Sequence, residues 1–123
     1  MKTIKVTTDN KISIADVDFD DFRDTQRAIG GHFETVHTQI MADYFTGPIL
    51  MLVDEEGLMK GLPVNDLGCC LYGTYQHGNP IVGDIVFAVG QGEDITAPED
   101  PDDLRDKLLK DFPFLREARQ DEG

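Results

Sequence analysis

The polar residues best spaced for chemistry lie in the middle of the chain. Glu55, Glu56, Lys60, Asn65, His77 and Asn79 fall in loops and short turns that follow a strongly apolar segment. Loops mounted on a rigid scaffold are where binding groups concentrate, so these six form a candidate binding set. Neighbouring carboxylates can divide acid and base roles when burial drives their pKa values apart. Glu55 and Glu56, adjacent in a charged turn, lack the convergent geometry that such catalysis needs, and no catalytic residue is assigned. His32 and His37 are five apart, which puts them on opposite faces of a strand, and His77 adds no local metal-ligand spacing. Cys69 and Cys70 are adjacent, form no C-x-x-C pair and read as small buried apolar side chains. Asp16, Asp18 and Asp20 alternate like the opening of a calcium loop. The sixth position counted from Asp16 is Asp21, where the turn needs Gly, and the twelfth is Arg27, where a bidentate Glu belongs. G-x-S-x-G, Cys–His and phosphate-cradling glycine signatures are missing. The expectation is no metal and no cofactor.

Charge narrows the partners. The 123 residues carry 24 acidic and 11 basic side chains, a formal charge of -13, which opposes coating of DNA because phosphate binding relies on lysine and arginine. The carboxylates gather in two segments. The first holds Asp16, Asp18, Asp20, Asp21 and Asp24 against Arg23; the second holds Glu93, Asp94, Glu99, Asp100, Asp102, Asp103 and Asp106 against Arg105. If the two segments share a face, their potentials add and steer the protein toward a basic partner. Adjacent cysteines without a bridging framework fit a reducing compartment. The start Met1-Lys2-Thr3-Ile4-Lys5 lacks the apolar run of a secretory signal, and no stretch reaches the roughly 18 residues needed to span a bilayer. A cytoplasmic protein without membrane contact is expected.

The elements that must position these groups follow from periodicity. Ile4 and Val6, then Ile12 and Ile14, alternate with polar residues as half-buried strands. A three-residue loop of Asp9, Asn10 and Lys11 pairs Val6 with Ile14 and keeps the isoleucines on the buried face, with Asn10 or Lys11 left-handed and Asn10 the better suited. Phe19, Phe22, Gln26 and Ile29 then recur at helical spacing over residues 18 to 29, with aspartates early and arginines late; Gly30 ends that helix. Residues 33 to 38 read as a strand. Ile49 to Val53 is an apolar run, short enough for a central strand buried on both faces. Residues 65 to 72 suit one or two helical turns. Ile81, Ile85, Phe87 and Val89 line one face of a strand over 81 to 89, in which Gly83 marks a bulge or close backbone approach. Residues 90 to 99 read as a linker, Asp100-Pro101 starts a helix carrying Leu104, Leu108 and Phe112, and Pro113 ends it. Residues 119 to 123 read as a fraying tail.

Strands on both sides of a first helix, with connections too short for several parallel crossovers, predict an α+β fold in one compact domain. It comprises a mainly antiparallel sheet of about five strands and two or three helices. Ile29-Gly30-Gly31, Asp54-Glu55-Glu56-Gly57, Gly61-Leu62-Pro63-Val64-Asn65 and Ile81-Val82-Gly83-Asp84-Ile85-Val86-Phe87, taken in order, resemble the domain-of-unknown-function family numbered 3846. The likeness spans residues 3 to 90. It sets a family-like domain over 1 to 90 apart from an acidic linker and C-terminal helix over 91 to 123, packed on the same domain. Where many members continue with small or basic residues after the Asn, this chain has Asp66-Leu67-Gly68, which argues against a basic phosphate pocket. The resemblance implies a small accessory protein of bacteria, phages or mobile elements. Together with the charge, it leads to a non-enzymatic binding protein that engages a basic host protein, one that handles nucleic acid or serves in defence. The alternative is a protein that binds or sequesters a nucleotide or metabolite in a loop-lined pocket formed by Glu56, Lys60, Asn65, His77 and Asn79.

Overall fold

The computed structural model describes residues 1–118. Its first half runs β1 (Lys2–Val6), β2 (Lys11–Asp16), α1 (Phe22–Ile29), β3 (Phe33–Val36), α2 (Gln39–Tyr44), β4 (Ile49–Asp54) and α3 (Gly57–Lys60). The second half runs α4 (Asp66–Tyr72), α5 (Thr74–His77), β5 (Ile85–Gln91), β6 (Asp94–Thr96), α6 (Pro101–Asp111) and β7 (Arg116–Glu117). One sheet carries the order β3-β4-β5-β1-β2-β7, and β6 pairs with β5. All neighbours are antiparallel except β2 and β7, which run parallel. The fold is therefore α+β with a mixed sheet of seven strands among the described residues, two more than expected, and with six helices, several of them a single turn.

Strand alternation splits the interior into two layers. Ile4, Val6, Ile12, Ile49, Met51, Ile85 and Phe87 face α2, α4 and α6, which contribute Met41, Leu67, Leu71, Leu104 and Leu108. Leu52, Val86 and Ala88 face the other way, toward Ile29 of α1 and the incoming chain at Val17 and Phe19. The acidic C-terminal helix thus shares the main core.

The first hairpin shows how turn chemistry sets register. Asn10 alone among the described non-glycine residues takes a positive φ, at 66°, and Asn10 N–H donates to Thr7 C=O at 3.0 Å. In a three-residue loop the left-handed residue comes last, so the loop is Thr8-Asp9-Asn10 and Val6 opposes Ile12, with Ile4 opposite Ile14. The expected pairing of Val6 with Ile14 is off by two residues; both registers bury the same face, so burial could not separate them.

Other boundaries moved for equally local reasons. Helix α1 begins at Phe22 rather than Asp18, because Asp21 caps it by accepting from the Arg23 and Asp24 amides, while Asp18 spends its carboxylate on Asp20 N–H. Gly30 closes the helix at φ 98°, as predicted. Thr38 ends the β3 segment by capping the unpredicted α2 through Met41 N–H. Strand β5 starts after Gly83, whose φ is +81° and whose hypothetical Cβ would lie 2.9 Å from Leu62 Cδ1; Val82 instead forms an isolated bridge with Val64. Residues 90 to 99 are no linker: Gln91 pairs with Asp94 across Gly92-Glu93, and Gly92 at φ 64° meets the demand of a two-residue hairpin turn. Asp100 and Pro101 open α6 as expected. The predicted fraying tail, residues 119 to 123, lies outside the described residues.

Candidate functional site

Of the six candidate binding residues, two serve as architectural joints. Asn65 is fully buried. Its Nδ2 donates to Val6 C=O at 3.1 Å and Gly83 C=O at 3.0 Å, and its Oδ1 accepts from Gly68 N–H at 3.0 Å. One side chain thereby caps α4 and ties it to β1 and to the approach to β5. Lys60 donates to the buried carboxylate of Asp54 at 2.7 Å, and Asp54 also accepts from Glu56 N–H at 2.8 Å. The hydrogen bond to Asp54 holds the Lys60 ammonium above the ordinary lysine pKa.

A cavity of about 180 Å³ lies against this junction, lined by Thr8, Gly30, Asp54, Lys60, Gly83 and Asp84 among others. Lys60 is the one member of the candidate set on its wall. Glu55 is exposed and Glu56 half-buried. His77 sits at the end of α5 with its ring 5.1 Å from that of Tyr72, and Asn79 offers its carbonyl to the Thr74 hydroxyl. The six residues do not converge on one surface. The cysteines differ from expectation too, with Cys69 half-buried and Cys70 exposed. Successive helical residues point about 100° apart, and α4 turns Leu67 and Leu71 inward.

The acidic segments divide as well. Helix α1 packs on one side of the sheet and α6 on the other, so the two helix starts do not form one stripe. Much of their charge is already engaged. Asp16 pairs with the N-terminal ammonium at 2.9 Å, Asp24 with Arg27 at 3.3 Å, and both Asp102 and Asp106 with Arg105 at 3.3 Å. The ammonium holds the Asp16 carboxyl below the usual range; the Asp18 N–H, then Arg27, do the same for Asp24. Asp100 accepts from Asp103 N–H as the α6 cap.

The two segments do meet at one place. Asp20, just before α1, shares an open cleft of about 370 Å³ with Glu93 and Asp94 of the β5–β6 hairpin. Among the described residues none of these three carboxylates has an ion-pair partner. The floor is apolar and aromatic: Phe22 stays 62% exposed, with its ring 5.5 Å from Phe33, and Phe19 and Ile95 adjoin them. Phe22 belongs to the stripe predicted for the helix core, yet it lies against β3, the last strand in the sheet order, where among the described residues no further layer covers it. Its helical spacing was visible in the sequence, and its exposure depended on where the sheet ends.

Carboxylates above an aromatic floor can hold an organic cation, the charged head between the acids and the carbon stem on the rings. Among the described residues no group of three or more His, Cys, Asp or Glu is placed to hold a metal ion, and no helix is long and apolar enough to cross a membrane. Fold and cleft together define a small acidic α+β domain in which the polar groups of the Asp54–Asn65 junction are spent on structure while the neighbouring cleft keeps carboxylates open. The chain belongs to the family described as a domain of unknown function (DUF3846), whose model matches residues 1–112. The match passes residue 90, where the resemblance in the motifs ends, and takes in β6 and α6. No curated protein and no solved structure matches the chain.

Proposed function

We propose that this is a non-enzymatic binding protein that engages a basic partner through the acidic cleft. In this reading it is an accessory factor of a phage or other mobile element, and its target is a host protein of nucleic-acid handling or defence. The carrying observation is that Asp20, Glu93 and Asp94 line one cleft with Phe22 and Phe33, and that among the described residues none of the three has an ion-pair partner. A lysine or arginine of the partner supplies what is missing, and complementary charge speeds encounter in a salt-dependent way. The test is capture from bacterial lysate at rising salt, with a triple variant, Asp20→Asn, Glu93→Gln and Asp94→Asn, run in parallel. Basic proteins are expected on the native protein, released by salt and not retained by the variant. Retention indifferent to both salt and substitution, or no retention at all, overturns the reading.

A second reading, sequestration of a small metabolite or nucleotide fragment, is favoured by one observation. The segments around Gly30, Asp54, Lys60 and Gly83, far apart in sequence, converge on the 180 Å³ cavity. That volume falls below the roughly 300 Å³ at which drug-sized pockets begin, so the ligand would be small. A thermal-shift screen addresses it, since a ligand at about 100 times its Kd stabilises the fold by about 2.7 kcal/mol.

A further inference from the structure

We propose that the partner's basic segment binds as an added β-strand along the open edge of β3, with its cationic side chains directed into the cleft. This rests on the acidic-cleft reading and specifies the mode of docking.

The edge geometry follows from the ladder. Strand β3 ends the sheet order and, among the described residues, pairs on one side only, with β4. Glu55 N–H donates to His32 C=O at 3.0 Å, which makes positions 32 and 55 a hydrogen-bonded pair. The register opposes Phe33 to Asp54, Glu34 to Val53, Thr35 to Leu52 and Val36 to Met51. Hydrogen-bonded and non-bonded pairs alternate in an antiparallel ladder. Glu34 and Val36 therefore turn their N–H and C=O groups toward β4, while Phe33 and Thr35 turn theirs outward. Those outward groups have no partner among the described residues. Phe33 and Thr35 are also the two β3 residues whose side chains line the cleft. An incoming strand that bonds to their backbone lies about 4.8 Å away, with every second side chain on the cleft face. A lysine or arginine there meets Phe22 with its stem and Asp20, Glu93 or Asp94 with its head.

The same edge argues against a second copy of the chain as occupant. Sheet edges are commonly protected by lysine, proline or a bulge; Phe33-Glu34-Thr35-Val36 has neither residue, and its register is unbroken. Its one charge is Glu34. Two such edges would set like carboxylates together on molecules of charge -13, whereas a basic strand is attracted. The opposite edge, β7, has two residues, one of them Arg116, and gives an acidic protein no such site.

The experiment measures binding of a short fluorescent peptide alternating lysine with valine, by anisotropy at low salt. Thr35→Pro deletes one outward N–H without touching the β3–β4 ladder, a position where an edge strand tolerates proline. A second arm leaves the protein unaltered and N-methylates one or the other alternate set of peptide nitrogens. Strand addition predicts at least about a tenfold affinity loss, about 1.4 kcal/mol, for Thr35→Pro and for one methylation set, with the other set tolerated. If both methylated peptides bind like the parent while the triple carboxamide variant loses binding, the strand mode is overturned and the acidic cleft stands. Full binding by the triple variant, or none by the native protein, overturns both. A native dimer that Thr35→Pro dissociates assigns the edge to a second copy and also overturns the inference.

Discussion

The junction around Asp54 and Asn65 and the cleft around Phe22 are comparably rich in polar groups, but the junction has spent them. Every hydrogen-bonding group of the Asn65 amide is directed at β1, α4 or the approach to β5, whereas among the described residues Asp20, Glu93 and Asp94 have no ion-pair partner. A buried polar group that is satisfied holds a fold together, and one whose partner is removed costs its full desolvation. Residue type alone points to both regions equally. What separates them is hydrogen-bonding capacity still unused.

The comparison breaks most readily at Asn65. Asn65→Ala strands two carbonyls and an amide in the interior and is expected to cost about 3 kcal/mol, read as a lower urea midpoint with unchanged slope. Asn65→Asp should not rescue it, because a carboxylate oxygen would then face the Val6 and Gly83 carbonyls. Asp54→Ala, which removes the acceptor for Glu56 N–H, should cost about 2 kcal/mol by the same measurement. On the cleft side, the triple carboxamide variant should change stability by less than about 0.5 kcal/mol while abolishing capture of basic partners. A loss as large as that at Asn65 would mean the cleft acids are structural after all.

The smallest effect sharpens the contrast through pH. Lys60 has its folded pKa raised above the ordinary 10.5 by Asp54. A raised lysine pKa adds stability that is present below the unfolded value and lost as pH climbs through the folded one. Thermal midpoints should therefore fall more steeply above about pH 10.5 in the native protein than in Lys60→Met.

Much of the scaffold could be read from residue pattern, because the deciding interactions are local. Asn10, Gly30, Asp100 and the Ile49–Val53 run declare a turn, a helix end, a helix start and a buried strand within a few residues of themselves. The errors arose where a local signal was masked or a distant element decided. Gly92-Glu93 is a competent hairpin turn hidden in an acidic stretch, and Thr38 is a cap at the end of an apparent strand. The cleft was less legible. Its residues come from positions 19–25, 33–35 and 93–95, and only the sheet order, with β3 at the rim and β6 beside β5, brings them together. The stripe that nominated Phe22 for the core could not show that the sheet stops beneath it.

The central place of β1, between β2 and β5, bears on how the chain matures during synthesis. The N-terminal hairpin leaves the ribosome early, but one flank of it has nothing to dock against until residues 85 and 86 arrive to pair with Val6 and Lys5. Long-range pairing of this kind slows folding and leaves apolar strands exposed meanwhile. A message truncated before Gly83 would yield two unjoined half-sheets, and such fragments should be substrates for chaperones or proteases.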